Sequence, residues 1–323
     1  MSRGVRAIRI TEWGGPEVLE LVDDAPVPEA GDGEVLIRVN RAGINFADTH
    51  ARENTYLARY ALPLVPGAEV AGVREDTGER VVAMTGTGGY AEYAVAPAAS
   101  TFGVPDGVSD GAALALLLQG LTAWHLYRTS AKLADGESVV VHAAAGGVGS
   151  LAVQLGHPLG AGRVIATAST EDKRDLALDL GADVAVDVTR DDLHEALIEA
   201  NGGERVDVVL EMAGGQVFDA SLKALAPFGR LVTYGIASRE PNQVSSGSLM
   251  RRSQAVVGFW LMHCLRRPQE LIAEPLRDLF ERTAAGTLRV VEGEVYPLSE
   301  VRRAHEDLQA RRTVGKLVLD PSS

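Results

Sequence analysis

Val139-Val140-Val141-His142-Ala143-Ala144-Ala145-Gly146-Gly147-Val148-Gly149-Ser150-Leu151-Ala152-Val153-Gln154-Leu155 passes from a β-branched run, through small residues, into an apolar segment. The order is strand, tight turn, helix. A G-x-G-x-x-G spacing would begin at position 144, where the chain has Ala; Gly146 and Gly149 fill the other two places. Without side chains in the way, a diphosphate can reach backbone N–H groups and the positive end of the helix dipole. Gly147 and Val148 belong to the same turn, and Gly149 also lets the helix pack close to the strand. Glycine-rich strand-to-helix turns also occur without ligands, so the context decides. Gly156 and Pro158 are expected to shorten or kink the helix that follows.

That context is an alternation of strands and helices. Six strands are expected at residues 138–142, 163–167, 184–187, 206–210, 230–234 and 254–258, with helical stretches between most of them. Parallel strands need such crossovers, and six at this spacing fit a doubly wound sheet. The first hundred residues read differently. Short apolar runs such as Glu34–Val39, Val70–Val73 and Tyr90–Val95 are divided by Gly and Pro, which suggests a compact, partly open barrel. Ser109-Asp110 reads as a helix start for Ala112–Leu118, with a second helix over Gln119–Tyr127. A closing strand, Lys316–Leu319, pairs most easily with the N-terminal β-domain. The fold class is therefore α/β: a β-rich domain from residues 1–118 and 259–323 around a doubly wound parallel domain from 119–258.

Composition narrows the function. The chain has 323 residues, 46% of them apolar and 23% charged, which is ordinary for a globular protein. A net charge of −13 and 5% aromatic content argue against nucleic acid and anionic lipid as partners. Any phosphate site must be built locally. One cysteine, Cys264, allows no intramolecular disulfide and no cysteine-rich zinc cluster. No apolar run reaches the length of a membrane span, and Met1–Gly4 lead straight into a strand pattern, so a soluble, cytoplasmic protein is expected.

The choice of nucleotide is read at the end of the second parallel strand, about 20 residues past the turn. NAD enzymes place a carboxylate there for the ribose hydroxyls. Here the sequence is Thr167-Ala168-Ser169-Thr170-Glu171-Asp172-Lys173-Arg174. Small neutral residues with a cation one helical turn later favour a 2′-phosphate, and hence NADPH. The other use of Lys173 and Arg174, as the solvated face of a helix, stays open.

Several ordered motifs resemble the quinone oxidoreductase (zeta-crystallin-like) branch of the medium-chain dehydrogenase/reductase superfamily. They are Gly14-Gly15-Pro16-Glu17-Val18-Leu19, Gly43-Ile44-Asn45-Phe46-Ala47-Asp48-Thr49, Pro66-Gly67-Ala68-Glu69-Val70-Ala71-Gly72, Gly120-Leu121-Thr122-Ala123, Ala143–Gly149 and Val314-Gly315-Lys316-Leu317-Val318-Leu319. The resemblance implies a GroES-like β-domain around a Rossmann domain, with NADPH in the cleft between them. It implies that Asn45, Asp48 and Thr49 line the nicotinamide side with Thr122 nearby, and that Ser169 and Lys173 hold the 2′-phosphate. Gly235 and Ile236 match a turn beside the cofactor, Phe259 and Lys316 match segments closing over nicotinamide and pyrophosphate, and Arg311 matches an adenosine-phosphate contact. Val188 departs from the pattern, because several relatives carry Tyr there against the ribose.

Zinc alcohol dehydrogenases of the superfamily carry a Cys ligand at the position of Asn45 and a His ligand at that of Ala68. Neither replacement suits zinc, so no catalytic metal is expected. Without a Lewis acid, substrates that take hydride readily are favoured, namely small hydrophobic quinones and enones. The protein then contributes orientation, water exclusion and hydrogen bonds to the developing oxyanion. Asn45 and Tyr56 are the catalytic candidates, although Tyr56 could equally pack its loop. Two other functions compete: a 2-enoyl-thioester reductase, suggested by Gly258-Phe259-Trp260-Leu261, and a non-enzymatic NADPH-binding protein. The apolar edge strand Gln254–Gly258 invites pairing with a second copy, so a homodimer is expected.

Overall fold

A computed structural model describes residues 4–55 and 57–323. The chain divides into two compact units, residues 1–118 with 265–323, and residues 119–264.

The first unit opens with β1 (Val5–Arg9) and β2 (Glu20–Ala25), an antiparallel pair. Next come β3 (Glu34–Ile44), β4 (Glu69–Arg74), β5 (Arg80–Met84), β6 (Tyr93–Pro97) and β7 (Thr101–Gly103). The eleven residues of β3 organise this sheet. Their first half pairs with β6, their second half with β4, and residues 42–44 with a strand from the far end of the chain. Alternate β3 side chains, Val35, Ile37 and Val39, enter a core with Ile8, Ile10, Val70, Val81 and Tyr90. Helix Phe46–Arg52 follows β3 directly, and Ser109 accepts from Ala112 N–H to cap helix Asp110–Leu114.

The second unit holds β8 (Ser138–Val141), β9 (Arg163–Ala168), β10 (Val184–Asp187), β11 (Val206–Glu211), β12 (Leu225–Thr233) and β13 (Ala255–Gly258). Their order is β10-β9-β8-β11-β12-β13, all parallel, so the sheet reverses direction of growth at β8. In doubly wound sheets that reversal point, at the carboxyl ends of the strands, is where ligands bind. β8 is buried throughout because helices cover both faces, which is why it reads as an unbroken apolar run. Helix Gly147–Gly156 stops where Gly156 and Pro158 were expected to stop it, and one tighter turn, His157–Leu159, follows.

The sequence reading and the structure differ in several boundaries; β12, expected at 230–234, already begins at Leu225. Residues 115–120 and 126–131 are wide π-type turns flanking helix Leu121–His125, so the expected helices 112–118 and 119–127 do not keep their boundaries. Residues 259–264 stay with the second unit, although the sequence placed them in the return segment. Phe259 N–H bonds Thr233 O at 2.9 Å, and its ring stacks on His125 with centroids 5.8 Å apart. The return to the first unit brings helix Glu274–Ala284, β14 (Glu292–Pro297), helix Val301–Gln309 and β15 (Lys316–Asp320). β15 lies between β14 and β3, so the last strand completes a sheet begun near the start of the chain.

Candidate active site

In the second unit, the turn after β8 is built around one backbone carbonyl. Ala143 adopts a left-handed conformation (φ 50°), and Gly146 N–H bonds its carbonyl at 2.8 Å. A Cβ on Gly149 would collide with the same carbonyl, which is the physical reason for glycine there. Helix Gly147–Gly156 begins immediately, and its N-cap, Gly146, has no side chain to satisfy the first N–H groups. Gly146, Gly147 and Val148 are half-buried. An uncapped helix N-terminus at the reversal point of a parallel sheet is an anion cradle.

His142 braces this turn from behind. Ser221 Oγ donates to Val217 O, so it must accept from His142 Nε2–H at 2.7 Å; Nδ1 then accepts from Thr167 Oγ1 at 2.8 Å. Thr167 O in turn accepts from Ala144 N–H. Burial holds the imidazole neutral, with its pKa lowered to about 4. Ser169 and Lys173 lie past β9 and are half-buried, while Arg174 reaches Ala168 O and Asp187. Gly235 is half-buried, Ile236 is exposed and Thr122 is buried. Val188 donates its N–H to Ala168 O.

In the first unit, Asn45 caps helix Phe46–Arg52 and is held at three atoms. Its backbone N–H donates to Asp48 Oδ2 at 2.8 Å, and Nδ2 donates to Glu69 Oε1 at 2.7 Å. Its Oδ1 accepts from Lys316 Nζ at 3.0 Å. Lys316 also pairs with Glu69, and both side chains are buried. The resemblance assigned Lys316 to the pyrophosphate region; here its ammonium is engaged with Asn45 and Glu69. Thr49 is buried and donates its hydroxyl to Phe46 O. Arg311 is exposed just past helix Val301–Gln309, and Tyr56 lies outside the described residues.

Sequence reasoning did not foresee the partners that hold Asp48. Tyr90 OH donates to Asp48 Oδ2 at 3.0 Å, and behind it stand His305 and Arg52. Burial, opposed by the bonds from the Asn45 N–H and the Tyr90 hydroxyl and by Lys316, pushes Asp48 up to about 6. Tyr90 was visible only as part of a strand, and His305 carries no motif. Among the described residues, no group of three His, Cys, Asp or Glu side chains is arranged to hold a metal ion. The cation beside Asn45 and Glu69 is an ammonium.

Family models for the alcohol dehydrogenase GroES-like domain and the zinc-binding dehydrogenase match residues 31–106 and 147–278. The quinone oxidoreductase of Lama guanicoe is 35% identical over 330 residues, covering 98% of both chains. The chain belongs to the quinone oxidoreductase family. Among solved members of the family, the Escherichia coli quinone oxidoreductase complexed with NADPH is 33% identical with a TM-score of 0.91, over 98% of this chain and 100% of that one. A mycobacterial protein complexed with NADPH is 40% identical with a TM-score of 0.92, over the same shares of each chain. The GroES-like and Rossmann assignments thus stand at the level of the whole family fold.

Proposed function

We propose that this family member reduces quinones with NADPH and needs no resident metal. The observation that carries the reading is the uncapped glycine turn at 143–149, in a chain alike over nearly its full length to proteins solved with NADPH. The turn fits a pyrophosphate: side chains are absent where phosphate oxygens would sit, and the helix dipole favours their charge.

When bound, NADPH supplies the hydride. The chain's own residues bind, orient and shield. The N–H groups of Gly147 and Val148 are offered to phosphate oxygens, and Ser169 with Lys173 to the 2′-phosphate. No carboxylate stands at Ser169 to repel that phosphate. Asn45, assigned to the nicotinamide side, is fixed by Asp48, Glu69 and Lys316 before any ligand arrives, so little ordering is left for the reacting complex. A quinone suits such a site because it takes hydride without a Lewis acid, its oxygen becoming a phenolate. An enone is a second acceptor of the same electronic kind.

Turnover of NADPH with 1,4-benzoquinone, measured beside crotonyl-CoA, tests the proposal. Reduction of the quinone supports it, and activity confined to the thioester overturns it. We also place a homodimer interface at the sheet-edge strand β13, where Val256 and Val257 are only half-buried. Among the described residues, no helix is long and apolar enough to cross a membrane; a cytoplasmic location is part of the same proposal.

A further inference from the structure

Helix Phe46–Arg52, the loop before β6 and the C-terminal helix Val301–Gln309 meet in a single buried file of hydrogen bonds. Its direction can be read without ambiguity. A guanidinium only donates, so Arg52 NH1, 3.1 Å from His305 Nδ1, makes that nitrogen the acceptor. The proton of the neutral ring is then on Nε2, 3.3 Å from Tyr90 OH, which accepts it. Tyr90 donates onward to Asp48 Oδ2. That same oxygen accepts from the Asn45 backbone N–H. Every donor in the file therefore points toward Asp48. Arg52 is anchored in turn by Gly14 O at 3.0 Å and by Gln309.

We propose that Tyr90 and His305 are positioning residues for the reduction, acting through Asp48 to fix the start of the Asn45 helix. The proposal rests on the functional reading of Asn45 given above. Asp48 closes a capping box with Asn45: the Asn45 side chain accepts from the Asp48 backbone N–H, and the Asp48 carboxylate accepts from the Asn45 backbone N–H. Tyr90 spans the gap between that box and a helix more than two hundred residues later in the chain. Its ring meets His305 edge-on, with centroids 5.9 Å apart and planes at 89°, so packing and hydrogen bonding specify the same geometry. Arg52, Tyr90 and His305 are all fully buried, so water cannot replace a missing member cheaply.

The arrangement has a pH signature. The charged and titratable groups around the Asp48 carboxylate are Tyr90 and Tyr60, Lys316 and Glu69, with His305 and Arg52 behind Tyr90. His305 is held neutral down to about pH 3 by burial and by Arg52, so it passes on no charge of its own. Tyr90 and the Asn45 N–H both favour ionised Asp48 against its burial. Deleting the Tyr90 hydroxyl removes one of those two donors, so the Asp48 pKa must rise further.

Tyr90→Phe tests this directly. The expected result is a fall of about tenfold in kcat/KM for quinone at pH 7, with the acid limb of the pH profile moved about one unit upward. His305→Gln, which keeps an N–H for Tyr90 but offers Arg52 no ring nitrogen, is expected to show a smaller change in the same direction. The carboxyl ¹³C resonance of Asp48 gives a readout that does not need turnover: its midpoint rises in Tyr90→Phe. A Tyr90→Phe protein with native melting, an unmoved Asp48 midpoint and an unmoved pH profile overturns the proposal. Should the wild type fail to turn over at all, the functional reading of Asn45 falls, while the Asp48 midpoint still decides whether Tyr90 holds it. A moved midpoint with an unmoved profile also overturns the positioning role.

Discussion

Buried charge sets the behaviour of individual residues. Lys316 and Glu69 are a fully buried ion pair; Lys316 also donates to Asn45 Oδ1 and to the Ile44 carbonyl, Glu69 Oε1 accepts from Asn45 Nδ2, and Glu69 Oε2 has no partner among the described residues. Removing one member leaves an uncompensated buried charge, at a cost of roughly 3–5 kcal/mol, whereas removing both together is far milder. Urea unfolding should therefore show Lys316→Met much less stable than the Lys316→Met, Glu69→Leu double variant. Additive losses would contradict this. The histidines make a second prediction. His142 and His305 have folded pKa values lowered to about 4 and about 3, so below pH 6.5 the unfolded chain takes up protons that the fold refuses. Their stabilisation is complete above that pH and is lost as pH falls, by roughly 3 kcal/mol for His142 by pH 4. Asp48, raised to about 6, takes up its proton earlier in the fold and offsets part of the loss. Melting curves should fall from pH 7 to pH 5, and His142→Gln should flatten that slope; an unchanged slope would refute the assignment.

At the scale of elements, the turn and the sheet around it were the most legible parts. β-branched runs separated by helix-length segments announce a parallel sheet, and all six expected strands are present, five of them within a residue of their expected ends and β12 beginning five residues earlier, at Leu225. Gly149 was legible for a reason the structure makes concrete, the carbonyl of Ala143 directly beneath it. Gly149→Ala must push that carbonyl away or open the helix start, so NADPH affinity should fall at least tenfold with a lower melting temperature. Ser169→Asp puts a carboxylate at the end of β9 and should raise the KM for NADPH about tenfold relative to NADH; equal effects on both would remove Ser169 from the 2′-phosphate site. The cluster around Asn45 was only partly legible. Asn45 and Asp48 are three residues apart and form a recognisable capping box, but Lys316 lies 271 residues from Asn45 and His305 lies 215 from Tyr90. No local pattern encodes such pairings, because β15 and helix Val301–Gln309 reach the site only through the closure of the sheet. Residues 259–264 were misplaced for a related cause: the stacking of Phe259 on His125 is a tertiary contact with no signature in the sequence.

For the whole molecule, a net charge of −13 leaves the attraction of an anionic cofactor to local features, and the glycine turn with its helix dipole is the feature we propose for it. Light scattering at micromolar concentration should give twice the chain mass if β13 seats a second copy, and a monomer mass would remove that interface. The central claim is that the bend between His142 and Ser150 receives the pyrophosphate of NADPH. Titrating the purified protein into NADPH while following the fluorescence of the dihydronicotinamide tests it most directly. Saturable binding at one site per chain, weakened at least tenfold in Gly149→Ala, is the result the account predicts; an unresponsive signal, or equal affinity in the two proteins, would contradict it.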